Sequence, residues 1–213
     1  MESKILIKLD TGVFKYQKAS IHLPYLELKC GEVVGLTGPS GSGKSTIAKL
    51  IAGHFPPHQL EKQTVKLTTP TVQRYQANPV QWIGQHCKFA FNPRWPLSKS
   101  LKEAYKSRCY TKQLENYKIK PHLLQRFPHE LSGGELQRFY IVRALAPSTQ
   151  FLICDEATAQ LDATTQRLIW QQLLQEVKSR QLGILVISHQ IELLQALCQK
   201  IVIMPESNAN NGI

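Results

Sequence analysis

The chain has 213 residues, 42% of them hydrophobic and 19% charged, which suits an ordinary soluble globular protein long enough to bury one good core. No apolar run approaches the ~20 residues of a membrane-spanning helix, and Ile5 to Leu9 is too short for a signal peptide and has no small-residue cleavage site after it, so the chain is expected to stay in the cytosol. The net charge of +11 sits in the first two thirds (13 Lys/Arg against 5 Asp/Glu over residues 1–100, 9 against 4 over 101–150, 4 against 6 over 151–213); such a charge can meet nucleic acid, anionic lipid headgroups or nucleotide phosphates, but is more often a plain solvated surface.

In chain order, Ile5 to Leu9 and Ser20 to Leu28 read as short strands, with a turn at Asp10-Thr11-Gly12. Glu32 to Thr37 is a buried-strand pattern. It ends in a Gly/Ser-rich loop and passes into a helix over Thr46 to Ala52, closed by Gly53. From about 86 to 150 the strand pattern stops, and a basic, proline-punctuated stretch reads as a helical lobe inserted into the α/β core. Phe151 to Cys154 and Gly183 to Ser188 are further strands, separated by a helix from Ala163 to Arg180 that puts Ile169, Leu173 and Val177 on one face. Alternating strands and helices predict a mostly parallel sheet with crossover helices, hence an α/β fold. The polar tail from Glu206 onward is expected to fray. The five scattered cysteines contain no Cys-x-x-Cys pair and read as reduced thiols.

Three runs carry chemistry. Gly38-Pro39-Ser40-Gly41-Ser42-Gly43-Lys44-Ser45 matches the phosphate-binding loop G-x-x-x-x-G-K-[ST] between a predicted strand and helix, where bare N–H groups face phosphates, Lys44 supplies charge and Ser45 offers a hydroxyl to Mg²⁺. Phe151 to Glu156 is an apolar strand ending in two carboxylates, the first placed to hold Mg²⁺ and the second to polarise a water. Leu131-Ser132-Gly133-Gly134-Glu135-Leu136-Gln137-Arg138 contains a capping box, Ser132 with Glu135, that opens a helix over Leu136 to Ala146. The box leaves the two glycines unexplained, since each costs roughly 1 kcal/mol relative to Ala in a first helical turn. Exposed N–H groups awaiting a phosphate would account for them.

Gly38 to Thr46, Gln85, Leu131 to Arg138, Phe151 to Glu156, Leu161-Asp162 and His189 occur in the order of the ABC-transporter ATPase family, and the resemblance covers nearly the whole chain. It implies a single ABC ATPase domain of the P-loop NTPase type over 1–213, with a mixed sheet core, a small N-terminal antiparallel β part, an inserted helical subdomain at about 86–150 and a flexible tail at about 206–213. It implies ATP and Mg²⁺ as cofactors and ATP hydrolysis as the activity. Two such domains would sandwich two ATP molecules, each held by Gly38 to Thr46 of one domain and by Ser132, Gly133, Gly134 and Glu135 of the other. Glu156 corresponds to the catalytic carboxylate and His189 to the switch histidine; Ser45, Gln85 and Asp155 correspond to the Mg²⁺ set, and Asp162 to a loop contacting the partner. Tyr16, with Phe14 as the alternative, corresponds to the aromatic stacking on adenine. Gln160, Gln190 and Glu135 stand where the family more often has Ala, Asp and Gln.

Phe91-Asn92-Pro93-Arg94 after Gln85, with Cys154-Asp155-Glu156-Ala157, is similar to the ATPases of dipeptide, oligopeptide and nickel importers. The implied protein is a peripheral subunit on the cytoplasmic side of the cell membrane that works with a second ATPase subunit and transmembrane permeases. The rival expectation is a soluble ABC ATPase acting on nucleic acid or within a multiprotein enzyme complex. Against a nucleic-acid partner stand the lack of a coiled-coil insertion and of a zinc-type cysteine pattern.

Overall fold

The computed structural model describes residues 5–16, 19–55, 65–70, 72, 77–106 and 109–205. β1 (Ile5–Leu9) opens the chain, and β2 (Gly12–Tyr16) and β3 (Ala19–Leu23) form an antiparallel hairpin. β4 (Leu26–Lys29) then returns along β1. The run expected over Ser20 to Leu28 is thus two strands: they pair with different neighbours, and Pro24, which has no N–H for a ladder, stands between them. β5 (Val33–Thr37) follows, and β6 (Leu67–Thr68) flanks β1 on its other side.

With β5, the strands β7 (Val80–Ile83), β8 (Phe151–Asp155), β9 (Gly183–Ile187) and β10 (Lys200–Ile203) make a five-stranded sheet in the order β10-β5-β9-β8-β7, every pairing parallel. All residues of β5, β8 and β9 are buried, as expected of strands covered on both faces. Alternate side chains serve opposite layers. Leu152, Cys154, Ile184 and Val186 pack with the helices after β7, while Phe151, Ile153, Leu185 and Ile187 pack with the antiparallel strands. β7 left no strand signal because its four residues include Gln81 and the half-buried Trp82 at the sheet's edge.

α1 (Lys44–Ile51) leaves the end of β5. Between β7 and β8 the chain forms α2 (Leu97–Tyr105), α3 (Thr111–Asn116), α4 (Gly133–Ala144) and three short 3-10 turns. α4 begins three residues earlier than Leu136 because the capping box admits both glycines to the first turn: Ser132 Oγ accepts from Glu135 N–H, and the Glu135 carboxylate accepts from Ser132 N–H. α5 (Ala163–Arg180), capped by Asp162, buries Ile169, Trp170, Leu173 and Val177 against the sheet, and α6 (Ile191–Leu197) precedes β10. The tail from 206 lies outside the described residues.

The last turn of α5 also secures the far end of α4. Arg180 donates to the carbonyls of Leu145, Ala146 and Thr149 at 3.0, 3.1 and 2.6 Å, tying down the C-cap residue of α4 and the turn that leads on to β8. Arg180→Met should therefore destabilise the fold by about 2–3 kcal/mol, read as a lowered urea midpoint at constant slope. An unmoved midpoint would mean that water replaces the guanidinium at those carbonyls without loss.

Candidate active site

Because the sheet is parallel, the carboxyl ends of β5, β9, β8 and β7 lie side by side, and each opens into one of the runs singled out from the sequence. At β5 the loop curls through Gly38 (φ 151°), Gly41 (φ 78°) and Gly43 (φ 97°) into α1. Close approach adds to the conformational demand, since a Cβ at Gly38 would lie 2.6 Å from Met204 Cβ and one at Gly43 2.6 Å from Ile21 Cγ2. β10 and the β2–β3 hairpin thus hem the loop in. The Lys44 ammonium donates to the carbonyls of Gly38 and Pro39 at 2.8 and 2.7 Å, and only 7% of the residue is exposed. Burial pushes its pKa down, while the charges of Glu156 and Asp155 pull it up. Ser42 Oγ is buried with no hydrogen-bond partner.

At β8, Asp155 is buried, which raises its carboxyl above the usual range; the nearby Ser45 hydroxyl and Trp82 indole and the charges of Lys49 and Lys44 oppose that. Glu156 follows in the left-handed region at φ 52°, an unfavourable place for a non-glycine residue. The end of β9 holds it there. Glu156 N–H donates to Ile187 O at 3.0 Å, and its carboxylate accepts from His189 N–H at 2.9 Å, with His189 Nε2 3.9 Å from the same oxygen.

At β7 the Tyr140 hydroxyl, reaching over from α4, donates to Trp82 O at 2.8 Å and accepts from Gly84 N–H at 3.5 Å, immediately before Gln85. Ser40, Gly41, Lys44, Ser45, Gln85, Asp155, Glu156 and His189 line one cleft of about 450 Å³. Pro39 and Thr46 flank that cleft without lining it. A cation, two hydroxyls, an amide, two carboxylates and an imidazole therefore converge from four strand ends, an arrangement able to seat a phosphate chain with a metal ion and to polarise a water.

Ser132, Gly133, Gly134 and Glu135 do not line this cleft. Gly133 and Gly134 border a smaller recess with Gln85, Glu156, Gln160 and Leu161. A Cβ on Gly133 would meet nothing within 4 Å, and one on Gly134 only Leu161 Cδ2 at 3.5 Å, so packing within this chain demands neither glycine. The Asp162 carboxylate accepts from Thr165 N–H at 2.9 Å. Phe14 is fully buried, edge-on to Phe55 at 5.0 Å, and offers no face to a base. Tyr16 closes strand β2, and its side chain lies outside the described residues. Phe91 is buried edge-on to Tyr140, whereas Phe89 is 89% exposed beside a second cavity of about 520 Å³ that shares Ser45, Gln85 and Asp155 with the cleft. Sequence reasoning missed Tyr140 and Gln137. Their only signal is a spacing of three on α4, which puts two polar groups on one helix face.

Loop, sheet and carboxylates together define a P-loop nucleotide-binding fold. A sequence model described as "ABC transporter" matches residues 23–159. The nickel import system ATP-binding protein NikE of Staphylococcus aureus (strain bovine RF122 / ET3-1) is 34% identical over 214 residues, covering 94% of this chain and 87% of that protein, and NikE of strain N315 matches equally. Among solved structures, the dimeric MJ0796, a bacterial ABC transporter cassette, superposes with a TM-score of 0.74 at 23% identity over 93% of this chain and 94% of that one. The ATP binding subunit of an ABC transporter does so at 0.77 and 21%, over 93% and 85%. The chain belongs to the ABC transporter family and is an ATP-binding, ATP-hydrolysing member of it.

Proposed function

We propose that this chain is the peripheral ATPase subunit of an importer, on the cytoplasmic face of the membrane, and that it energises uptake of nickel or a metal complex. The observation carrying the reading is the single cleft in which Lys44, Ser45, Gln85, Asp155, Glu156 and His189 converge. The likeness to NikE supports a metal cargo over a peptide and a transporter over a soluble ATPase on nucleic acid. Among the described residues no helix is long and apolar enough to cross a membrane; in this reading separate permease subunits supply the path for the cargo.

In this reading residues 1–213 form one ATPase domain with a helical subdomain at about 86–150. The loop from Gly38 to Thr46 holds the ATP phosphates, with Ser42 Oγ and the Lys44 ammonium turning to them, and Tyr16 stacks on adenine. Ser45, Asp155 and Gln85 suit Mg²⁺: all offer oxygen, and a dication offsets the burial that raises the Asp155 pKa. When bound, the ion neutralises phosphate charge. Glu156 takes the proton of the attacking water, and His189 stands at the γ-phosphate. Ser132, Gly133, Gly134 and Glu135 meet the nucleotide of a second ATPase subunit, which supplies the reason for glycines that this chain's own packing leaves open.

The permease is assigned to the cavity beside Phe89, where an apolar ring is left in water. Phe89→Ala should abolish ATP-dependent nickel uptake in cells while basal ATPase stays within about twofold. Phe91→Ala should lower both, because Phe91 packs against Tyr140, with about 3–5 kcal/mol of stability lost. Equal loss of both activities in Phe89→Ala would remove the docking assignment. For the function itself, deletion of the gene should abolish high-affinity uptake of radioactive nickel and leave dipeptide uptake intact, and washed membranes should retain the protein. The opposite uptake pattern would replace metal by peptide, and complete release from membranes would return the soluble reading.

A further inference from the structure

α4 does more than present Ser132 to Gly134. One turn in from that end, Gln137, only 6% exposed, donates its amide N–H to Ala157 O at 2.6 Å. Ala157 directly follows Glu156. Three residues further along, Tyr140, 8% exposed, donates its hydroxyl to Trp82 O at 2.8 Å and accepts from Gly84 N–H at 3.5 Å. Gly84 directly precedes Gln85. Leu136, Phe139, Ile141 and Val142 lock the helix between these bonds into the core, so α4 has little freedom to shift without carrying Gln137 and Tyr140 with it.

We propose that Gln137 and Tyr140 are positioning residues that tether α4 to the two loops carrying Glu156 and Gln85. The exposed N-terminal end of the helix, on meeting a nucleotide, then sets where the chain's own hydrolytic groups stand. A backbone carbonyl is the right handle for this. Glu156 is held at φ 52° by contacts from outside its own loop, Ile187 O and His189 N–H on one side, and Gln137 anchors the next peptide on the other. Gln85 is exposed, and the Tyr140 hydroxyl fixes the two residues that aim it. Neither Gln137 nor Tyr140 lines the cleft assigned to the phosphates, so loss of either should leave nucleotide affinity alone and lower the rate. The inference rests on the reading of Glu156 and Gln85 given above.

The test uses Tyr140→Phe, which removes one oxygen and keeps the ring against Phe91, and Gln137→Met, which keeps the length and removes the donor. On the purified full chain, kcat should fall about five- to tenfold in each, with the KM for ATP within about twofold of wild type. Amide hydrogen exchange should quicken at 82–86 only in Tyr140→Phe and at 156–161 only in Gln137→Met. Glu156→Gln is measured alongside. If that variant is inactive while Tyr140→Phe and Gln137→Met keep the wild-type kcat, the tether is wrong and the catalytic assignment stands; if Glu156→Gln hydrolyses normally, the assignment itself falls. A fall in kcat with an equal loss of ATP affinity, or faster exchange throughout the core, would reduce both residues to packing and overturn the proposal. Should Gln137→Met not fold, Tyr140→Phe decides alone.

Discussion

Lys44→Ala should weaken Mg-ATP binding about a hundredfold or more and abolish turnover. Among the described residues the cleft is lined by Ser40, Gly41, Lys44, Ser45, Gln85, Asp155, Glu156 and His189, of which Lys44 alone brings an ammonium or guanidinium, against two carboxylates. Without it the triphosphate faces Asp155 and Glu156 with no fixed positive side chain, and the carbonyls of Gly38 and Pro39 lose the donor that now holds them at 2.8 and 2.7 Å. A charge-assisted hydrogen bond contributes about 1.5–3 kcal/mol, and about 1.4 kcal/mol is a factor of ten in affinity. Titration calorimetry reads the effect directly. Lys44→Arg should restore the charge but not the fit, because a planar guanidinium cannot enter between two carbonyls that hold a compact ammonium. Unchanged affinity in Lys44→Ala would remove the basis for seating the phosphates on this loop.

Glu156→Gln should leave binding intact and slow hydrolysis by about a hundred- to ten-thousandfold, the range expected for loss of a general base. An amide keeps the shape and can still accept from His189 N–H, now at 2.9 Å, and Gln tolerates the left-handed backbone no worse than Glu. What it lacks is the charge that takes a proton from water. Since each ATP is proposed to lie between Lys44 of one subunit and Ser132 to Gly134 of another, unhydrolysed ATP should then hold two subunits together. Size exclusion should give a dimer with Mg-ATP, none with ADP, and none when Ser132→Arg is added. With a different natural partner the same experiment is run on the mixed pair. Hydrolysis at the wild-type rate in either pairing would refute Glu156 as the base.

Much of the chemistry was legible because it is local. The loop from Gly38 to Ser45 needs glycines at fixed offsets whatever surrounds it, and the structure puts Gly38, Gly41 and Gly43 at positive φ between a strand and a helix as read. The same holds for the helix from Ala163 to Arg180, whose face of Ile169, Leu173 and Val177 follows from 3.6-residue periodicity. The capping box at Ser132 was read correctly, but the start of its helix was displaced by three residues, since propensity counts glycines against a helix that a cap and a packed body can still carry.

What only the tertiary structure decided is what distant segments do to one another. Sequence spacing could not say that β7, with its weak pattern, runs parallel to β8 and so sets Gln85 beside Asp155, nor that His189 N–H holds the Glu156 carboxylate. It left Phe14 open as a base-stacking group, though three-dimensional packing buries it against Phe55. Gln137 and Tyr140 look like ordinary residues of a helix until the fold brings the carbonyls of Ala157 and Trp82 within their reach. A motif is fixed by the backbone conformations of adjacent residues, which sequence dictates directly. A hydrogen bond across 20 or 58 positions exists only once burial of the whole core has brought its two ends together.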